Sequence, residues 1–269
     1  MKILEESWQV NKMKKFGVLA AIGIFISAIG LIIATISITF AYNDYKNHSK
    51  LIEGKIELKE DLDYKFEFDY GTVNVFNTTE EYSYVEYSVV DFYEVKLDTN
   101  NFICRNKMKF LLSFLGYKNV LNIYLSNVSN DNTLDFTLNA GELKMDDQLT
   151  SSNTNIKLNA GKMTYNNISC TNNLTIKVNA GELIINDSKT NNLNVKINAG
   201  DSNIKSDFTT LDFTVNAGNF DLSAYGTKSD YSINVKCNAG DSNVSNGGSG
   251  ARRISGTVNA GNFNAKFIN

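Results

Sequence analysis

Proline is absent from all 269 residues, and histidine occurs once, at His48. A Ser-His-Asp or Cys-His mechanism would have to use His48, which lies in a polar stretch outside the patterned segments. The cysteines, Cys104, Cys170 and Cys237, are widely spaced and form no C-x-x-C pair, which argues against a zinc site and a disulfide framework. We therefore expect no catalytic residues, no metal and no cofactor.

Charge of neither sign dominates, with 26 lysines and arginines against 29 acidic residues. Nucleic-acid binding depends on clustered cations, so this balance gives no reason to expect a nucleic-acid partner. The hydrophobic share of 42% is that of a folded protein. Asparagine is the over-used residue, at 38 of 269 positions.

One long uncharged run, FGVLAAIGIFISAIGLIIATISITFAY, occupies residues 16–42. About 20 apolar residues cross a bilayer as a helix, whereas the apolar part of a cleaved signal peptide has about 7–15. We expect an uncleaved single-pass transmembrane helix. Lysines before the run place residues 1–15 in the cytoplasm and the remainder outside the cell. Residues 43–63 have the polar composition of a tether.

The tripeptide Asn-Ala-Gly occurs seven times within residues 131–269, at intervals of 18 to 22 residues. Apolar and polar residues alternate on both sides of each glycine, as in the segment 174–185, which predicts short strands with one buried face. The predicted structural turn positions are Asn139, Gly141, Asn159, Gly161, Asn179, Gly181, Asn198, Gly200, Asn216, Gly218, Asn238, Gly240, Asn259 and Gly261.

The spacing across each tripeptide requires a corner. The flanking buried residues are five positions apart, and an odd separation in a continuous strand would put them on opposite faces. Glycine supplies the positive φ of such a corner, and stacked asparagines are expected to form an amide ladder. We predict an all-β fold, a parallel β-solenoid (β-helix-like) of about seven to eight turns, with two strands and a polar turn per unit.

Residues 64–130 are predicted to form a strand-rich N-terminal cap that includes a divergent first turn around Gly71. Strands are expected within 82–97 and at 120–125. The apolar run 109–117 is interpreted as a lid over the solenoid end or as a loop that touches a membrane or a partner. The chain stops directly after a predicted strand, so we also expect an open edge at the last turn.

These motifs resemble the bacterial putative-adhesin family, a domain of unknown function that includes LiaG-like envelope proteins. The resemblance covers residues 55 to 269 and is carried by the G-x-V-x-V turn at Gly71, the L-x-I-x-L strand at 121–125 and the serial N-A-G turns. Relatives often have proline after that strand, where this chain has Ser126. The resemblance implies an extracytoplasmic β-solenoid without established catalytic residues.

We therefore expect a non-enzymatic membrane-anchored adhesin or cell-envelope binding module, attached through residues 16–42, whose partner is an envelope polymer or a membrane protein. One alternative is an accessory regulator of an envelope-stress sensing system. A second is a glycan-active β-helix enzyme, for which Glu182 and Asp201 would be the stacked acid pair or cation site. The interpretation we favour for these two acids is a solvated corner.

Overall fold

The computed structural model describes Thr39 and residues 50–59, 63–107, 119–126, 132–145 and 148–269. The chain divides into two units, Met1–Ser49 and Lys50–Asn269, and all the described strands lie in the second unit. Among the described residues, no helix has the length and apolar character needed to cross a membrane. The predicted transmembrane run 16–42 lies outside the described residues except for Thr39, and the apolar run 109–117 lies outside them entirely.

Strands dominate the second unit, and its described residues contain fifteen of them in one hydrogen-bonded sheet. They are β1 (Leu51–Glu57), β2 (Tyr64–Asn77), β3 (Tyr84–Val90), β4 (Tyr93–Asp98), β5 (Asn101–Asn106), β6 (Val120–Leu125), β7 (Thr133–Met145), β8 (Leu149–Leu158), β9 (Gly161–Tyr165), β10 (Ile168–Ile185), β11 (Ser188–Val215), β12 (Phe220–Tyr225), β13 (Tyr231–Ala239), β14 (Arg252–Ala260) and β15 (Phe263–Ile268). A short 3-10 helix, Lys228–Asp230, precedes β13.

Parallel, in-register pairing stacks β2 and the strands from β7 onward into two long ladders that meet at the corner glycines. Gly181 pairs with Gly161 on one side and with Gly200 on the other. Strands β7, β10 and β11 run through their corners without a break, so one strand contributes to both ladders. The predicted all-β, solenoid-like architecture is confirmed.

Each corner glycine has a φ between +119° and +146°, which side chains rarely adopt. Their backbones also approach so closely that a Cβ on Gly181 would overlap the carbonyl oxygen of Gly161. Only glycine meets both conditions. Among the described residues eight such corners lie in one file, in the spatial order Gly71, Gly141, Gly161, Gly181, Gly200, Gly218, Gly261 and Gly240.

At the end of this file, the order of the turns in space differs from their order along the chain. Strand β14 lies between β11 and β13, and β15 pairs with β12, so the last turn in sequence inserts before the turn of Gly240. Arg252 holds this arrangement. Its Nε donates to the Phe208 carbonyl (2.6 Å), its guanidinium pairs with Asp207, and it packs 4.8 Å from the Tyr231 ring centroid.

The open edge predicted after the last strand is covered over its first half. Strand β15 pairs with β12 on one side, and on the other Asp241 and Asn243 bond to the backbone of Phe263 and Ala265. Strand β13 pairs with β14 on one side, and Asn246 and Gly247 bond to its other edge. Gly247 exchanges two backbone hydrogen bonds with Ile233 (2.8 and 2.9 Å), and the Asn246 amide bonds both backbone groups of Val235.

The amino-terminal end corrects the predicted tether and agrees with the first turn predicted around Gly71. Residues 51–57, within the predicted tether 43–63, form β1, which pairs antiparallel with β3. The composition was misleading because the polar side chains lie on one face, where Lys55 Nζ is 3.6 Å from the Tyr84 ring centroid. Strand β2 pairs with β7 along its length, with Gly71 beside Gly141, so residues 64–77 already form a solenoid turn.

The predicted polar turns contain a third, narrow strip of strand. Leu149 pairs with Ile168, and Ile168 with Ser188, and the pairing continues for three residues in each case. The sequence pattern hid this strip because Ser151, Ser188 and other small polar residues take interior positions there. The hydroxyl of Ser151 has a local partner, Thr154 Oγ1 at 2.7 Å, which makes its burial tolerable.

The corner glycines generate a matched pair of variants. Gly181→Ala is expected to cost about 3 kcal/mol or more, because strain at its φ of +139° adds to the overlap with the neighbouring backbone. Gly247→Ala has similar strain at φ +125° but no atom within 4 Å of the new Cβ, so its loss should be clearly smaller. Urea denaturation measures the loss of stability in both variants. Equal losses would contradict a destabilising overlap between the new Cβ and the neighbouring backbone.

Two buried tyrosines give a second matched pair. The Tyr165 hydroxyl has no hydrogen-bond partner among the described residues, and burial raises its pKa well above the usual value. We expect Tyr165→Phe to unfold at the same or a higher temperature, since an unsatisfied buried hydroxyl costs about 1–3 kcal/mol. Tyr231→Phe should lower stability by about 1 kcal/mol, because the Tyr231 hydroxyl donates to the Tyr225 carbonyl at 2.5 Å. A loss in Tyr165→Phe as large as in Tyr231→Phe would contradict this assignment.

Candidate binding face

The corner asparagines form one continuous chain of side-chain hydrogen bonds. At each step the Nδ2 of one asparagine donates to the Oδ1 of its neighbour, at 2.6–2.9 Å. At one end of the chain, Asn139 Nδ2 donates to the carboxylate of Asp69 at 2.8 Å. A carboxylate only accepts hydrogen bonds, so it suits the end at which an amide donor is left over. In spatial order the members are Asn139, Asn159, Asn179, Asn198, Asn216, Asn259 and Asn238. The ladder locks the register of the strands that precede the glycines.

We call the outward side chains of those strands the pre-glycine face. Four positions before each glycine, the row in spatial order is Glu67, Thr137, Lys157, Lys177, Lys196, Thr214, Thr257 and Lys236. Six positions before each glycine, it is Lys65, Asp135, Asn155, Thr175, Asn194, Asp212, Ser255 and Asn234. The two rows run side by side along the solenoid.

Two open depressions lie end to end on this face. One, of about 540 Å³, extends from Thr175 and Lys177 across the threonines to Lys236. The other, of about 220 Å³, extends from Lys65 to the same Thr175 and Lys177. The depressions share these two residues and are lined by polar side chains above buried ones, so the face offers a continuous polar track.

The charged side chains of this face differ in whether they have partners. At the Gly71 end Lys65 lies 2.6 Å from Glu67, and its hydrogen bond holds the pKa of the Glu67 carboxyl below the usual value. Farther along the face Arg253 pairs with Asp212 at 2.7 Å. Between them Lys157, Lys177 and Lys196 are exposed, and none has an acidic partner among the described residues.

These three lysines were not among the residues predicted from the sequence. The signal was present, because each stands four positions before its glycine. Alternation alone marks such positions as solvent-facing and says nothing about which of them become neighbours.

The opposite face, formed after the glycines, contains the acid pair considered as a catalytic or cation site. Glu182 and Asp201 are direct neighbours in the ladder, as predicted. Their carboxylates bind other groups, however: Glu182 lies 3.0 Å from Lys162 Nζ, and Asp201 accepts from the backbone and side chain of Asn219 at 3.0 and 2.9 Å. Both carboxylates thus bind neighbouring surface groups, as expected of a solvated corner. No cluster of three His, Cys, Asp or Glu side chains suited to a metal ion occurs within the described residues.

The three cysteines lie on different strands and are free thiols. Burial raises the pKa of the Cys104 thiol to about 12 and also raises that of Cys170. Cys237 is only half-buried, because it lies on the outermost strand β13, and desolvation raises its pKa as well. Thiols with raised pKa values are poor nucleophiles, so these cysteines act as small packing residues.

Residues 91–269 match the family described as Toastrack DUF4097. The chain belongs to that family. The resemblance to a family of unknown function that contains putative adhesins, drawn from the N-A-G turns, is thereby confirmed. No curated protein is significantly similar to this Toastrack chain in sequence.

Several crystal structures are similar to this Toastrack chain. A putative adhesin from Parabacteroides distasonis is 14% identical with a TM-score of 0.47, and the match covers 81% of this chain and 98% of that one. A putative adhesin from Bacteroides fragilis is 15% identical with a TM-score of 0.47, over 81% and 97%. A putative cell adhesion protein from Clostridium sporogenes is 15% identical with a TM-score of 0.37, over 81% and 100%.

Removing an asparagine from the interior of the amide ladder should destabilise the protein more than removing one from its end. Asn179→Ala removes two hydrogen bonds, one to Asn159 and one from Asn198, and should cost about 1–2 kcal/mol. Asn238→Ala removes one, to Asn259, and should cost about half as much. Thermal unfolding followed by circular dichroism compares them. If both variants unfold like the parent protein, the ladder does not contribute to stability.

Proposed function

We propose that this protein is a non-enzymatic, membrane-anchored module of the bacterial cell envelope that binds an extended partner along its pre-glycine face. The observation that supports this proposal best is the register of that face. Eight strand segments repeat the same two outward positions across seven strand spacings, about 34 Å in all. A linear ligand would therefore meet equivalent groups at every step.

The shape of the face favours a polymer over a small molecule. Pockets for small ligands bury most of the ligand surface, typically 70–90% or more. The two depressions here are open and continue into each other at Thr175 and Lys177. An extended chain can follow such a track and gain many weak contacts, whereas a compact ligand would leave most of its surface in water.

The proposed anchor is the uncharged run 16–42, with residues 1–15 in the cytoplasm and the solenoid outside the cell. In this arrangement the run serves only as an attachment and the pre-glycine face does the binding. The rigid ladder holds the face in one shape at the membrane surface, which suits an adhesive or structural role in the envelope.

The test uses the full-length protein in neutral-detergent micelles and purified, insoluble cell-wall polymer in a pelleting assay. Thr175→Tyr with Thr257→Tyr places bulky rings on the pre-glycine face and should weaken retention at least about tenfold. The matched control, Thr164→Tyr with Asn203→Tyr, alters the opposite face and should bind like the parent protein. Tyrosine is well tolerated in strands, so folding should be preserved.

A second arm replaces residues 16–42 by an unrelated transmembrane helix. Binding should be unchanged, and both proteins should stay in the membrane fraction after alkaline extraction. No retention by the parent protein, equal retention by the two double-tyrosine variants, or loss of binding with the foreign helix would contradict the proposal. The last result would favour the regulatory alternative, in which the helix itself contacts a sensor.

A further inference from the structure

Three cations stand in a row at the centre of the pre-glycine face. Lys157 pairs in register with Lys177, and Lys177 with Lys196, on adjacent parallel strands. Their Cα atoms are therefore about 4.8 Å apart from one strand to the next. All three side chains are exposed. We call these residues the lysine array.

No carboxylate of the described residues pairs with a lysine of this array. The two acids of the adjacent row flank it and have other partners: Asp135 accepts from Asn155 at 2.7 Å, and Asp212 pairs with Arg253. Like charges on neighbouring strands repel each other and weaken a sheet. On the opposite face, by contrast, Lys162 lies 3.0 Å from Glu182. The array is thus a line of positive charge that an anionic ligand would stabilise.

The neighbouring side chains indicate what kind of anion fits. Thr175 and Asn194 lie beside the array and offer a hydroxyl and an amide, which suit a ligand rich in hydroxyl groups. The two rows of the face carry no aromatic side chain on which the bases of a single-stranded nucleic acid would stack. The array is also one residue wide, with Asp135 and Asp212 nearby, which disfavours a broad anionic lipid surface.

The row continues beyond the array in the same direction. Thr214 and Thr257 follow Lys196, and Lys236 comes next, so the four lysines span about 24 Å. The depression of about 540 Å³ joins Lys177 and Lys196 to Lys236. A polymer chain lying along the solenoid axis would meet all four lysines. The spacing of about 4.8 Å between neighbouring strands is close to the length of one pyranose unit.

We propose that the lysine array binds an acidic polysaccharide, with the carboxylates of successive sugars on Lys157, Lys177 and Lys196 and their hydroxyls on Thr175 and Asn194. This inference rests on the proposed function and names the ligand class for the same face. The lysines bind the charges of the polymer, and Thr175 and Asn194 set its position across the face.

The experiment measures binding of polygalacturonate to the full-length protein in neutral-detergent micelles by biolayer interferometry, with neutral dextran as the uncharged probe. Lys157→Gln, Lys177→Gln and Lys196→Gln together should weaken binding at least about tenfold. The matched control, Lys144→Gln, Lys162→Gln and Lys189→Gln, removes the same charge from other surfaces and should change binding less than about twofold. Raising the salt concentration should weaken polygalacturonate binding by the parent protein, and it should have less effect on binding by the triple array variant.

Three results would overturn the inference: no binding of polygalacturonate, equal losses in the two triple variants, or binding of dextran as strong as that of polygalacturonate. Binding of phosphatidylglycerol vesicles or of oligothymidine in place of polygalacturonate, with the same lysine dependence, would also overturn the choice of ligand. Melting curves like that of the parent protein exclude misfolding as the cause. If the array variant still pellets with cell-wall polymer and the Thr175→Tyr, Thr257→Tyr variant does not, the inference fails while the proposed function stands.

Discussion

The structure depends on the close approach of glycine backbones at a single corner. At each level the glycine combines a positive φ with direct contact to the glycine of the next turn, as Gly181 does with Gly161. No other residue fits both conditions, so every turn must place its glycine in the same file. The asparagine ladder adds a hydrogen bond at each step beside it. Together these contacts set the register of both strand ladders.

Strict register has a chemical consequence at the surface. Positions that are about 20 residues apart in the chain become neighbours about 4.8 Å apart, so any residue repeated at one offset becomes a row. On one face Lys162 lies beside Glu182 and pairs with it. On the other face Lys157, Lys177 and Lys196 have no acidic partner among the described residues. The same geometry thus produces one row in which a lysine is paired and one that favours an anionic chain.

Both ends of a solenoid expose strand edges, which are sites of unwanted pairing. This protein ends its ladders differently at the two ends. At the amino-terminal end β6, β3 and β1 continue the sheet, with an antiparallel pairing that breaks the repeat. At the other end Asn246 and Gly247 bond to the outer edge of β13, and Asp241 and Asn243 bond to the first half of β15. Arg252 fastens the inserted turn to Asp207 and Phe208.

Local pattern determined much of this protein by itself. Alternation, the Asn-Ala-Gly spacing and the five-residue offset were enough to predict the corners, the parallel stacking, the amide ladder and the turn at Gly71, because each follows from the geometry of a single unit and its neighbour. Three features were decided only by tertiary structure: the inserted last turn, the strand at residues 51–57, and the narrow third strip where Ser151 and Ser188 are buried. The three lysines of the array share one offset from their glycines in the sequence, but only the structure shows that the neighbouring acids Asp135 and Asp212 bind other side chains. These features could not be predicted because alternation reports which side of a strand is buried, whereas the choice of neighbouring strand is made by contacts between distant parts of the chain, such as Arg252 with Asp207.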